Sequence, residues 1–476
     1  MKKIILINSN NEHTPYPVPP IGLMQIYSSI KDKYNVKIID CTFISTGEIL
    51  DEINRFSPDY IGISIRNIDN LQIIDSKCYY NYIQDSIINP IKKITSCQII
   101  LGGSGFSIFA EKLMEYLDVN YGIVGEGEVI FPKLLNYLDK KKDPSEIPGV
   151  IVKGNKNFIK NTNFIKVDKL PFSDFDKRIN FNLYKGRSVY SIQTKRGCYH
   201  KCTYCTYPYL EGKKYRVRSP KDVADEIEEA YKRLGFVIFE FVDSTFNDPP
   251  GHAEEICKEI IKRKIDIGLR TMGINPGNSS ANLFDLMLKA GFTQIDCTPD
   301  SASPTMIKNL GKNFILDQLQ KTAEIIRRKN IPTMWFFILG GIGESIKTIN
   351  ESFEFIDQYI SDFDMVHITK GLRIYPKTKL YEIALKEGVI SKDEDLIYPK
   401  FYISKNFTLE ELNNIIKEKT LKRPNCIPAE ESTASKEMIE AAIKIRTKFK
   451  LEEPMFRTLL KLRQQMFNKK SLSLVK

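Results

Sequence analysis

Apolar and polar positions divide the chain into two series of one kind. Up to about residue 140, short apolar runs alternate with amphipathic stretches. The runs Lys3–Ile7, Val36–Asp40, Tyr60–Ile65, Gln98–Gly103 and Tyr121–Val124 are almost unbroken in aliphatic residues. Such runs suit strands covered on both faces, as in a parallel sheet. Helical periodicity fills the intervals, for example at Gly22–Lys33 and Ile108–Leu117. The pattern predicts a doubly wound α/β domain over residues 1–143, with its ligand at the carboxyl ends of the strands.

A polar stretch from Lys140 leads to Pro148-Gly149, and residues 144–188 read as a linker. The second series follows. Strands are expected at Val189–Thr194, Val237–Asp243, Ile267–Met272, Thr293–Thr298, Pro332–Leu339 and Met365–Ile374. The helix after the first of these is sharply bounded: Ser219 suits the N-cap, Pro220 the first turn, Asp222 the N3 position and Gly235 the end. Six strand–helix units predict a partial, open (β/α)6 barrel over residues 189–385, with active residues at the strand carboxyl ends. Residues 386–476 read as a mostly helical region.

Composition narrows the class. The chain has 476 residues, 42% hydrophobic and 27% charged, without an apolar run long enough to span a bilayer. The opening Met-Lys-Lys-Ile-Ile-Leu-Ile-Asn has too short an apolar core for a signal peptide and reads as a first strand. The nine cysteines, an odd number and mostly scattered, argue against a disulfide framework. A cytoplasmic protein is expected. Most of the formal charge of +11 sits after Ile443, where ten Lys/Arg face two Glu. Such a tail can meet nucleic acid or anionic lipid, but no aromatic platform accompanies it. It reads as a solvated helix face, and neither nucleic acid nor membrane is expected as a partner.

The sharpest chemical signal is Lys195-Arg-Gly-Cys198-Tyr-His-Lys-Cys202-Thr-Tyr-Cys205, directly after the first barrel strand. Three thiolates within eight residues can grip three irons of a cubane and leave the fourth open. A zinc site is the rival reading. It needs a fourth ligand, and His200 lies between two of the cysteines in a tight loop.

This loop resembles that of the radical S-adenosylmethionine (SAM) superfamily, including the aromatic Tyr204 before the last cysteine. The resemblance implies that Cys198, Cys202 and Cys205 bind a [4Fe–4S] cluster, and that SAM is cleaved there to a 5′-deoxyadenosyl radical. Further motifs end successive strands: Phe241-Val-Asp-Ser-Thr-Phe-Asn247, Cys297-Thr-Pro-Asp-Ser-Ala-Ser303, Leu339-Gly-Gly-Ile-Gly-Glu344 and Leu372-Arg-Ile-Tyr-Pro-Lys-Thr378. By the same resemblance Tyr204, Asp243, Asp300, Ser301, Gly340 and Gly341 contact SAM. Arg216 and Arg218 either meet carboxylates near the site or face solvent.

The first domain is similar to the cobalamin-binding domain that precedes the barrel in one branch of this superfamily. The matching pieces are Pro17-Val-Pro-Pro-Ile-Gly-Leu23, Ile100-Leu-Gly-Gly-Ser-Gly105 and Gly122-Ile-Val-Gly-Glu-Gly-Glu128. The resemblance implies cobalamin contacts at Ser64, Gly102, Gly103, Gly125, Glu126 and Gly127. The Asp-x-His-x-x-Gly motif that supplies a cobalt ligand in many cobalamin proteins is absent, and His13 reads as a surface residue. Methylthiotransferases carry three N-terminal cysteines for a second cluster; Cys41, Cys78 and Cys97 lack that context.

The implied activity is reductive SAM cleavage followed by cobalamin-dependent C-methylation of an unactivated carbon. The implied partners are a small-molecule or natural-product-like substrate and an external low-potential electron donor. A radical SAM dehydratase, epimerase or rearrangement enzyme that does not use cobalamin is the alternative, and a non-catalytic iron–sulfur protein is the next. The stretch Arg423-Pro-Asn-Cys426-Ile-Pro428 has no assigned role.

Overall fold

The computed structural model describes residues 1–155, 157–162, 164–167 and 178–473, with side chains as far as Met466. Part of the expected linker and the last residues of the basic tail lie outside the described residues.

The first sheet is built from β1 (Lys3–Asn8), β2 (Asn35–Asp40), β3 (Tyr60–Ser64), β4 (Gln98–Gly102), β5 (Tyr121–Ile123) and β6 (Val150–Val152). Their order is β2-β1-β3-β4-β5-β6, parallel but for β6. Helices cover both faces. Ile4 and Leu6 pack in one core cluster and Ile5 and Ile7 in another, which is why the runs are apolar at every position. The sheet continues past Asp143: β6 falls in the stretch read as linker and pairs antiparallel with β5.

The second series begins with β7 (Tyr190–Ile192), followed by the antiparallel pair β8 (Lys195–Arg196) and β9 (Arg216–Val217). Then come β10 (Ile238–Phe241), β11 (Gly268–Thr271), β12 (Ile295–Asp300), β13 (Thr333–Leu339) and β14 (Met365–Lys370). The expected last barrel strand breaks at Gly371, whose φ of +69° turns the chain into β15 (Leu372–Arg373). This short strand pairs antiparallel with β16 (Phe401–Tyr402). Finally β17 (Cys426–Pro428), from the unassigned stretch, adds parallel to β14. The parallel strands form two ladders, β7-β10-β11 and β12-β13-β14-β17, joined by single bridges from Leu269 to Phe292 and from Ile274 to Cys297. Among the described residues the barrel therefore has seven parallel strands, one supplied by the region read as helical.

The helix Pro220–Glu229 has the expected start. Ser219 accepts from the Asp222 N–H, and Gly235 follows in the left-handed region. Beyond β17 the last helix, Met455–Ser473, packs Phe456 and Leu460 on Ile427, against Met334 and Met365. Arg457 also pairs with buried Asp364 at 2.8 Å. The amino-terminal half of the basic tail thus closes the barrel floor.

Between β7 and β17 the barrel is open. The loops that leave the carboxyl ends of β1 and β3 cross this gap. From the first, Tyr16 donates to Glu240 of β10, and the Pro17 carbonyl accepts from Ser188 Oγ beside β7. From the second, Asp69 meets Arg373, and Gln72 Nε2 donates to the Ala429 carbonyl after β17 at 3.3 Å. The ligand edge of the first sheet thus faces the open side of the barrel. Among the described residues no helix is long and apolar enough to cross a membrane.

Candidate active site at the domain junction

The cysteine loop is held by backbone contacts. The Cys198 N–H donates to the Gly212 carbonyl at 3.0 Å, and the Gly197 N–H to Glu211 at 2.9 Å. Gly197 has φ +89°, and a Cβ there would stand 2.1 Å from the Lys214 carbonyl oxygen, so only glycine fits. Farther along, Thr203 bridges two barrel elements: its N–H donates to the Leu310 carbonyl and its carbonyl accepts from Leu380. His200, between the cysteines, is fixed away from them by a 2.8 Å bond to Asp248.

Asp243, two residues past the end of β10, has a fully buried side chain. It accepts from the Thr194 N–H (2.8 Å), the Thr194 hydroxyl (2.7 Å) and the Lys195 N–H (3.2 Å). These bonds draw the chain away from the β7 ladder after Ile192 and start the loop. That is why the strand expected over Val189–Thr194 ends at Ile192.

Burial pushes Cys205 up to about 12, reinforced by Cys202 and Cys198. Burial raises Cys202 as well, opposed by the nearby Lys312 ammonium. Among the described residues no three Cys, His, Asp or Glu side chains converge on one point as the ligands of a single ion do. A cubane asks for a looser set, each thiolate on a different iron. Three neighbouring sulfurs on one rigid loop beside a fixed cation fit that requirement.

The other strand ends surround this loop. Tyr204 donates to Asp300, and Lys312 donates to the same carboxylate at 2.7 Å and to the Thr298 carbonyl at 3.2 Å. Asp300 has φ +64°, a left-handed conformation that aspartate tolerates better than most residues. Lys312 is the residue that sequence reasoning missed. Its signal was indirect: a buried Asp300 needs a cation. Ser301 is closed to solvent and shares a 3.1 Å hydrogen bond with Ser352, behind the strand end. Gly340, φ +89°, donates its N–H to Glu344 at 3.2 Å, and burial pushes the Glu344 carboxyl up to about 7. Gly341 lies beside Met306 and Leu310.

On the first domain, a Cβ placed on Gly102 or Gly125 would meet nothing within 4 Å, so bare backbone faces open space at two strand ends. Gly125 also has φ +88° and donates its N–H to Ser107 Oγ at 2.9 Å. This is a surface that a large flat ligand can approach closely. Gly103 is different: its φ is +100° and a Cβ would collide with the Ile65 carbonyl, so it serves the turn. Gly127 packs on Ile26. The Ser64 carbonyl accepts from Ser9 Oγ at 2.8 Å. Glu126 grips Arg216 through both oxygens, at 3.0 and 2.5 Å, and accepts from the Ile165 N–H. Beside it Arg196 bonds Glu128 at 2.6 Å. These ion pairs tie the glycine-rich edge to the cysteine loop.

Of the two arginines left open, Arg216 therefore meets a carboxylate across the junction. Arg218 is buried and bonds Asp222 and Glu226 within its own helix region. His13 is exposed and sits edge-on to Phe43. Cys41 follows β2 at the carboxyl edge of the sheet, whereas Cys97 precedes β4 at the amino edge. The two cannot share a cluster.

Comparisons with known proteins agree with this organisation. A family model described as the radical SAM superfamily matches residues 192–356, and one described as a B12 binding domain matches residues 9–135. The chain is 24% identical to an uncharacterised methyltransferase of Pyrococcus horikoshii over 84% of this chain and 86% of that protein. It is 22% identical to tryptophan 2-C-methyltransferase of Streptomyces laurentii over 78% of this chain and 73% of that protein. The structure of the radical S-adenosylmethionine methyltransferase TsrM from Kitasatospora setae, with cobalamin and a [4Fe–4S] cluster bound, superposes with a TM-score of 0.81. It covers 100% of both chains at 19% identity.

Proposed function

Because this chain belongs to the radical SAM superfamily, in the branch that carries a B12-binding domain, we propose that it is a cobalamin-dependent radical SAM methyltransferase acting on carbon. The observation that carries the reading is the facing of two sites. The cysteine loop at the barrel's strand ends is tied by Arg216–Glu126 and Arg196–Glu128 to the glycine-lined edge of the first sheet. Relatives named as methyltransferases, aligned over most of their length, support the reaction class.

Cys198, Cys202 and Cys205 would hold the cluster, and the bare backbone at Gly102 and Gly125 would admit cobalamin. When bound there, the cluster with SAM supplies a 5′-deoxyadenosyl radical able to abstract hydrogen, and cobalamin supplies a transferable methyl group. The chain's own residues do the positioning. Asp243 fixes where the cysteine loop begins. His200 and Asp248 pin its middle. Tyr204, Asp300 and Lys312 present a polar wall with a fixed positive charge beside two of the thiolates. Gly340 and Gly341 form a tight turn packed on Leu412 and Met306 and held by Glu344, and adenosine would meet the peptide edge of that turn. Ser301 supports the wall from behind. An external low-potential donor in the reducing cytoplasm supplies the electron.

The test is anaerobic reconstitution with iron, sulfide, cobalamin, SAM and a low-potential reductant. Absorbance of both cluster and cobalamin is expected, with SAM consumed and methyl transferred to carbon. Protein that takes up iron yet never cobalamin would overturn the methyl-transfer reading.

A further inference from the structure

The barrel lumen carries ionisable groups that the cluster loop does not use. Ser191, Glu240 and Arg270 are register partners across β7, β10 and β11. Their strand neighbours Tyr190, Ile192, Phe239, Phe241 and Leu269 are in the outer core, so by alternation all three face inward. Asp296 does the same on β12, between core residues Ile295 and Cys297. Tyr16 enters from the first domain. Its hydroxyl meets both oxygens of Glu240 at 2.7 and 2.8 Å, and Arg270 lies over its ring at 5.8 Å.

These groups leave bonding capacity unused. Among the described residues Arg270 makes no hydrogen bond and no close ion pair with either acid; it acts on Glu240 and Asp296 only through space, and its guanidinium lies over the Tyr16 ring. Asp296 accepts only a 3.4 Å bond from Gln294. Ser191 Oγ is an independent sign. Ser191 is 2% exposed and its hydroxyl has no partner. Partly buried charges and an orphaned hydroxyl facing one space are costly unless something else completes them. The opposite wall is apolar: Phe336 and Ile338 alternate with core residues Trp335, Phe337 and Leu339 along β13.

We infer that the lumen binds a zwitterionic, amino-acid-like substrate, with its carboxylate on Arg270 and its ammonium on Asp296 and Glu240. With Arg66 also acting on Glu240, two cations face two acids, and this balanced set favours a zwitterion over its neighbours. Arg270 would repel a simple cation or diamine, and the two acids would repel a dianion. Burial, with Glu240 adding to it, pushes the Asp296 carboxyl up to about 7, and an ammonium seated between the two acids would favour its ionised form. Glu240 lies three residues before Asp243, so roughly 10 Å of extended chain separates it from the residue that anchors the cysteine loop. The polar end of the substrate is therefore held deep, and its apolar side chain extends along β13 toward the cysteine loop. The carbon presented for reaction lies on that side chain. This deepens the reading above and rests on it for treating the bound molecule as substrate.

The experiment is anaerobic isothermal titration of the reconstituted full chain with L-tryptophan, L-phenylalanine and L-leucine. Each is compared with its decarboxylated amine and its deaminated acid. At least one amino acid is expected to bind about tenfold or more tighter than both counterparts. Arg270→Gln should erase the preference over the amine, Arg270→Lys should restore part of it, and Asp296→Asn should weaken the preference over the acid. Each comparison is made within one variant, so a general loss of folding is distinguished by the loss of every titration. An amine or acid that binds as tightly as its amino acid, or no binding by any of the three, overturns the inference. SAM cleavage is assayed in parallel. Cleavage without amino-acid binding defeats the inference alone, and binding without cleavage defeats the reading of the reaction alone.

Discussion

Arg373, just beyond the last long barrel strand, donates from Nε to Asp69 of the first domain at 2.8 Å, and both side chains are closed to solvent. Its other nitrogens bond the carbonyls of Ile374 and Leu396, and its guanidinium lies over Phe109 and Tyr375. One side chain thus locks the second loop of the first domain to the barrel.

Removing one partner of this pair should be severe. Asp69→Ala leaves a buried guanidinium without its counter-charge and is expected to cost about 3–5 kcal/mol in urea denaturation. The double variant Asp69→Leu with Arg373→Met should recover much of that loss. A single variant as stable as the parent would show that the pair does not hold the domains.

Lys312 places a positive charge beside Cys202 and Cys205. A nearby cation favours the reduced, more negative state of any cluster they hold. Lys312→Gln should therefore shift the cluster's reduction potential to more negative values, read by spectroscopic redox titration at equal iron content. An unchanged potential would remove Lys312 from that role.

The turns around the cysteine loop require glycine. Gly197→Ala and Gly311→Ala each put a side chain into the left-handed region, and each Cβ would meet a backbone oxygen, of Lys214 at 2.1 Å or Lys201 at 2.5 Å. The conformation alone costs about 1–2 kcal/mol. Iron retained per chain should drop in both variants, while far-ultraviolet circular dichroism stays close to that of the parent.

Glu344 links stability to pH. Its carboxyl is raised to about 7 in the folded protein by burial, from an ordinary value near 4.5. The folded state therefore binds more protons than the unfolded state between these values. Stability from this group is fully present below about 4.5 and is lost as pH rises through about 7. Glu344→Gln should flatten the decline in urea midpoint across that window, and an equally steep decline would exclude this source.

The strands of both domains and the cysteine loop were legible because each is local. A run such as Ile4–Ile7 reports burial on both faces by itself, and three cysteines in eight residues need no distant partner. What escaped was set by pairing between remote segments. Cys426–Pro428 is three residues long, too short for a period, and becomes a strand only because β14 offers a free edge. Val150–Val152 is the same case beside β5. The motif positions of Asp243 and Glu126 imply ligand contacts, and nothing in them announces their protein partners. Their carboxylates are engaged by Thr194 and Arg216, residues whose proximity no spacing expresses. The lumen groups did leave a trace. Phe239-Glu240-Phe241, Leu269-Arg270-Thr271 and Ile295-Asp296-Cys297 each set one charge between residues of the outer wall, the mark of an inward-facing polar position.

The seventh strand has a consequence for how the molecule comes into being on the ribosome. Domains form largely from the amino terminus as the chain emerges. This barrel cannot close its β14 edge until Pro428 has been made, nor seal its floor until Leu460 follows. For that interval the growing chain carries an unpaired strand, the kind of edge that recruits other chains. A gene cut after residue 385, where the strand–helix pattern seems to finish, would make that interval permanent. The shortest stretch worth expressing therefore runs through the last helix.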